Sequence, residues 1–231
     1  MRKEGQENKR NWKRIIGIIL FITLVSSIAY TIVKIIVAPS GPIGTEAYEK
    51  VKSDYVLMLL QCILGLIVMA IPSIIERRWL IDIPNNMEVL YFIFLYCAIY
   101  LGEVRNFYYI IPFWDTILHA FSGAMLGALG FALVSILNDY ESTRFHLSPF
   151  FIALFAFCFA LTAGAIWEIY EYLIDGIFGL NMQKFALEDG TLLIGHEALS
   201  DTMKDIVVDA VSALIISVAG YFSIYKKCKD D

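Results

Sequence analysis

The sequence predicts an all-α fold: a polytopic integral membrane helical bundle of about six transmembrane helices, with both termini cytoplasmic. Three observations lead there. Hydrophobic residues make up 58% of the 231 residues, and the mean hydropathy is +0.66, whereas soluble domains stay nearer half apolar. Several apolar runs reach the roughly 20 residues that cross a bilayer as a helix. Lys and Arg are also unevenly shared between alternate connections, as expected of an oriented multi-pass chain.

The first apolar run, Ile15–Val37, follows the basic segment MRKEGQENKRNWKR. It exceeds the about 7–15 residues of a signal-peptide core, and no clear small-x-small cleavage site accompanies Pro39 and Pro42, so it reads as an uncleaved first span. Tyr55–Ile75 is the second span and Met87–Leu101 the third, which Glu88 enters early and Glu103 ends. Then FYYIIPFW, from Phe107 to Trp114, is expected along the outer surface. Spans at Trp114–Leu137, Ser148–Ile174 and Asp201–Tyr225 complete the set. The breakers APSGP, IPNN and SP fall between these runs, where chain reversals belong. Without internal repeats or low-complexity tracts, the chain reads as a single transmembrane domain, multi-pass in the cell membrane.

The N-terminal segment, the second-to-third and fourth-to-fifth connections and the C-terminal tail carry twelve Lys and Arg; the other connections carry five. The excess belongs on the cytoplasmic side, which places Ser40 and Asp189 outside and Glu141 inside. Trp12 and Trp79 suit one membrane interface, and Tyr108, Tyr109 and Trp114 the other. The net charge of −5 comes with no basic, aromatic-interleaved patch, so nucleic acid is not an expected partner. Cys62, Cys97, Cys158 and Cys228 lack CxxC spacing and read as buried small hydrophobes rather than a disulfide or zinc framework.

On this topology the acidic residues gather at one side. WDTILHAFSGAM puts Asp115 and His119 one turn apart on the fourth span. GAIWEIYEYLID places Glu168, Glu171 and Asp175 on one face of the fifth, and SDTMKDIVVDAVS places Asp201, Asp205 and Asp209 on one face of the sixth, by the i, i+3 and i, i+4 spacing of a helix. Asp115 and Asp201 sit where carboxylates cap helix N-termini. Glu168, Glu171 and Asp175 have no such role, because a helix C-terminus disfavours negative charge. Asp209 lies about 12 Å deeper than Asp201 at 1.5 Å per residue, and an acidic residue inside a span is a functional candidate by default.

Seven carboxyls facing few cations must be protonated, hydrated or metal-bound. The expected ligands are Asp115, His119, Glu168, Glu171, Asp201, Asp205 and Asp209. A histidine among carboxylates suits Zn or Mn, and carboxylates alone suit Mg. Gly123 and Gly127, in SGAMLGALG, give the fourth span a small-residue face for close helix packing. The segment 176–200 reads as a long loop able to act as a lid, with His196 within it.

The motifs FWDTILHAFSG, AFCFALTAGAIWEIYEYLID and LSDTMKD resemble those of the uncharacterised membrane-spanning proteins common in Gram-positive bacteria, related to the YjdF-like inner-membrane group; a more distant analogy is to VanZ-like proteins. The resemblance implies a shared helical fold and the grouping of Asp115 with His119, Glu168 with Glu171, and Asp201 with Asp205. It implies no reaction.

The functional expectation is an outward-facing acidic and histidine cluster. In a divalent-metal-dependent hydrolase acting on a lipid-linked or envelope substrate, Asp115, His119, Glu168, Glu171 and Asp205 would form the catalytic set, with one carboxylate as general base. The alternatives are a cation- or proton-coupled transporter and a partner-binding membrane subunit. The lipid bilayer is the expected environment in each case.

Overall fold

The computed structural model describes residues 2–39, 50–79, 83–138, 147–187 and 191–230. Ser40, Pro42, Asp139, Glu141, Arg144 and Asp189, and the side chains of Trp79 and Cys228, lie outside the described residues. The described residues contain helices and one isolated bridge, Ala186 with Leu192, and no strand. Six helical stretches are long and apolar enough to cross a membrane: Trp12–Val37, Lys52–Arg78, Asn85–Val104, Trp114–Val134, Pro149–Phe178 and His196–Lys226. Helix is the form that satisfies every backbone amide and carbonyl within the segment itself, as a lipid-exposed span requires. The chain folds as two compact units.

The first unit holds residues 1–114 together with 187–191. It contains α1 (Arg2–Val37), α2 (Lys52–Met69), α3 (Ile71–Trp79), α4 (Asn85–Leu95) with a π-helical continuation (Tyr96–Val104), and α5 (Phe107–Ile110). Its core joins Leu20 and Leu24 of α1, Tyr55, Met58 and Cys62 of α2, and Phe92, Leu95 and Ile99 of the third span. Hydroxyls within α1 are satisfied by the preceding turn: Ser27 donates to the Thr23 carbonyl at 2.7 Å and Thr31 to the Ser27 carbonyl at 2.6 Å. Glu88 is buried and forms an ion pair with Lys13 of α1, which accounts for a carboxylate at the start of the third span. That span continues past its expected end, and the Arg105 amide donates to the Tyr100 carbonyl at 2.9 Å, five residues back. The FYYIIPFW stretch is a single helical turn and a bend with Phe113 at φ 61°. Trp114 Nε1 donates to the Cys97 carbonyl at 3.3 Å. Of the expected buried cysteines, Cys62 is buried, Cys97 partly so, and Cys158, on the second unit, is exposed.

The second unit holds residues 115–186 together with 192–231, carried by α6 (Trp114–Asn138), α7 (Pro149–Phe178) and α8 (His196–Asp230). Ser148 caps α7 by accepting from the Phe151 amide at 3.2 Å, with Pro149 in the first turn, the usual N-terminal chemistry. Gly179, at φ 64°, closes the helix in the left-handed conformation. A stripe of small residues on α7, Ala153, Ala156, Ala160 and Gly164, is buried, and α7 packs extensively along α8. On α6, Gly123 and Gly127 lie against α8 and Gly130 lies against Ala156 of α7, so the expected small-residue face is used for helix packing.

Two boundaries correct the sequence reading. Helix α7 runs on to Phe178 and α8 begins at His196. His196 is therefore helical and exposed rather than a loop residue, and Asp201 lies in the second turn of α8 rather than at its cap. Of the expected structureless loop, residues 179–186 form a short strap held by side-chain and backbone hydrogen bonds. Asp175 accepts from the Met182 and Gln183 amides at 2.8 and 3.0 Å. Asn181 exchanges hydrogen bonds with Ala186 at 2.7 and 3.0 Å.

Candidate functional site

The ends of α6, α7 and α8 bring the sequence-predicted residues together around one imidazole. His119 Nε2 lies 3.8 Å from Asp115 Oδ1, 3.8 Å from Glu168 Oε1 and 3.9 Å from Asp205 Oδ2. Each of these carboxylates comes from a different helix. On the opposite edge of the ring, His119 Nδ1 is 3.3 Å from Asp209 Oδ2. This contact holds the ring from the side away from the three other carboxylates, so that Nε2 faces Asp115, Glu168 and Asp205. His119, Glu168, Asp205 and Asp209 are all buried.

Two glycines make room for Asp209. A Cβ added at Gly164 of α7 would land on the Asp209 carboxylate, 3.0 Å from its Cγ, and one at Gly123 of α6 would stand 3.0 Å from the Asp209 carbonyl oxygen. Only glycine lets α8 approach both neighbours closely enough to seat the acid beneath the histidine. Oδ1 of Asp209 is buried without a hydrogen-bond partner among the described residues, and Glu168 is buried beside Thr202 and His119. Buried polar atoms are seldom left in that state, so the cluster has binding capacity that the chain does not itself fill.

Asp115, His119 and Asp205 offer ligand atoms that all lie within 4.8 Å of one another. With metal–ligand bonds of about 2.0–2.2 Å, tetrahedral ligand atoms stand about 3.4 Å apart, so small side-chain movements suffice to close these three on an ion. Glu168 is outside that mutual set but adjoins it through Nε2. Glu171, half-buried on α7, is within electrostatic reach of Glu168, Asp115, His119 and Lys184.

The other two acids have different partners. Asp175 is committed to the strap amides. Asp201 faces Lys184, with 3.7 Å between Oδ2 and Nζ, and Lys184 also forms an ion pair with Asp115 Oδ2. Burial pulls the Lys184 pKa down, but Asp115, Asp201 and Asp205 outweigh it and hold the ammonium above its ordinary value. The placement of Lys184 depends on a left-handed backbone at φ 46°, for which a lysine in a loop gives no sequence signal.

A protein of Thermotoga maritima described as uncharacterized is 24% identical over 151 residues, covering 65% of this chain and 69% of its own length. No solved structure matches the chain. The model of the family described as "Predicted membrane protein (DUF2238)" matches residues 15–226, which takes in the last five apolar spans, all but the first three residues of the first, and every member of the cluster. The chain therefore belongs to the DUF2238 family of predicted membrane proteins.

Proposed function

We propose that the His119 cluster binds a divalent metal ion and serves a hydrolytic reaction on a lipid-linked or envelope substrate. The observation that carries this reading is the arrangement of Asp115, Glu168 and Asp205 at 3.8–3.9 Å around His119 Nε2, with Asp209 holding the far side of the ring. That pattern has the ligand types of a Zn or Mn site and the carboxylate that orients a metal-bound histidine. Asp115, His119 and Asp205 are the ligands. Glu168, buried beside them with Oε1 3.8 Å from His119 Nε2, is the general base, with Glu171 behind it. The ion would supply a water acidified toward neutral pH; Glu168 would take the proton.

The Lys and Arg bias supports cytoplasmic termini and an outward-facing cluster. The motif resemblance supports placement near the YjdF-like branch, among proteins of Gram-positive bacteria, with VanZ-like proteins more distant. A second reading, passage of a cation or proton, draws on Ser217. Its buried hydroxyl oxygen lacks a hydrogen-bond partner among the described residues, about 12 Å further along α8 than Asp209 at 1.5 Å per residue.

The test is thermal unfolding of the purified protein in detergent. Chelator should lower the melting temperature, and Zn²⁺ or Mn²⁺ should restore it. An ion at 100 times its dissociation constant adds about 2.7 kcal/mol. His119→Ala and Glu168→Gln should each blunt the response, the first abolishing it, while Glu197→Gln on the exposed first turn of α8 should not. If the wild-type and His119→Ala proteins melt alike with every divalent ion, the metal reading is refuted and cation or proton passage takes its place.

A further inference from the structure

Lys184 has no task in the metal centre as described, yet the fold goes to some length to place it. It sits in the Gly179–Ala186 strap with φ 46°, a conformation in which a non-glycine residue stores strain and which recurs at functional and switch positions. Its ammonium pairs with Asp115 Oδ2 on α6 and lies 3.7 Å from Asp201 Oδ2 on α8. Asp115 is shared: its other oxygen, Oδ1, is the one that faces His119 Nε2 at 3.8 Å. The strap itself is anchored elsewhere, through Asp175 to the amides of Met182 and Gln183, through Gln183 Nε2 to Thr202 Oγ1 at 2.8 Å, and through Asn181 to Ala186. The long lysine stem can therefore withdraw while the strap stays attached at its flanks.

We propose that Lys184 is a tethered competitor for the ion at Asp115, its side chain a latch that engages this carboxylate when no ion is bound and withdraws when one binds. The proposal rests on the divalent-cation reading above. In the empty site the ammonium supplies counter-charge to Asp115 and Asp201. A divalent ion brings two charges to the same carboxylate, and at these partly buried side chains the repulsion between ion and ammonium is screened less than in bulk water. The two cations thus disfavour one another at Asp115, and loading the ion releases the Lys184 side chain from that carboxylate. Such linkage is reciprocal: whatever holds Lys184 on Asp115 weakens ion binding by the same factor. A local charge exchange acting on an element with two arrangements is the usual construction of a ligand-driven switch.

The experiment titrates Mn²⁺ into the full-length protein in detergent micelles and follows loss of the free-ion paramagnetic resonance signal. Lys184→Met should tighten binding at least tenfold. Lys204→Met removes the same charge from an exposed position on α8 and should change it less than twofold. Unchanged or weaker binding by Lys184→Met would leave the metal centre standing and overturn the latch. Absence of binding by both wild type and Lys184→Met would remove the metal centre and the latch with it. A second measurement needs no variant: Mn²⁺ should raise the rate at which an amine-reactive ester acetylates Lys184 at least threefold, read by peptide mass spectrometry, with Lys204 unaffected. Equal acetylation of Lys184 with and without Mn²⁺, in a sample shown to bind the ion, would also overturn the latch.

Discussion

Gly164→Ala tests whether Asp209 works by holding His119. The new Cβ would land on the Asp209 carboxylate, 3.0 Å from Cγ and 3.3 Å from the aspartate Cβ. Returning Cγ to ordinary carbon contact, about 3.5–4.0 Å, displaces the carboxylate by about 0.5–1 Å. Added to the present 3.3 Å between Nδ1 and Oδ2, this takes the pair to about 4 Å, outside hydrogen-bond reach. The overpacking should cost about 1–3 kcal/mol, and loss of the partner that orients the imidazole should weaken Mn²⁺ binding by about 10–100-fold. Gly176→Ala is the matched control, since its Cβ would meet nothing within 4 Å; there alanine should stabilise α7 by up to about 1 kcal/mol. The assay pairs a melting curve with a Mn²⁺ isotherm for each variant. If Gly164→Ala binds Mn²⁺ as tightly as Gly176→Ala does, Asp209 is not what orients His119, and the reasoning fails.

Three further outcomes are expected. Asp175→Ala strips the Met182 and Gln183 amides of a charged acceptor and should cost about 2–4 kcal/mol; trypsin should then cut after Lys184 faster than in the wild type. Lys184 is held above its ordinary 10.5 in the folded protein, so its pairing contributes fully below that value and is lost only as pH rises through the higher folded one. The melting difference between wild type and Lys184→Met should therefore stay constant from pH 7 to about 9.5, and a difference that shrank over that range would count against a charged pair. In a cysteine-free background, cysteines at Ser40 and Asp189 should react with an impermeant reagent on intact cells and one at Glu141 should not; the opposite pattern would place the cluster on the cytoplasmic side.

The six spans were legible because each is a long apolar run, and lipid leaves such a run little choice but helix. The inner ring of the site was legible for a related reason. Asp115 with His119, and Asp205 with Asp209, stand four apart, so one helical face carries both members of each pair. Neighbouring helices packed through Gly123, Gly127 and Gly164 then bring the faces together. What escaped was set by tertiary contacts. Asp201 resembles a helix cap until α8 is seen to begin five residues earlier, at His196. Asp175 resembles a member of the cluster until the strap amides claim it. Lys184 is one cation in a polar stretch whose position depends on a single left-handed residue, and the shift from α to π turns inside the third span leaves the apolar pattern unchanged.

That shift bears on how relatives should be aligned. A π turn closes its hydrogen bond one residue further on than an α turn, and such turns occur mostly as local bulges within α-helices. In Tyr96–Val104 it persists for nine residues. A relative that threads the same span in pure α form would need fewer residues to cover it. Gaps between members of the family should therefore collect inside this hydrophobic segment as well as in the loops. Such a gap would leave the span intact and change the register at which the chain enters the Asn106 turn.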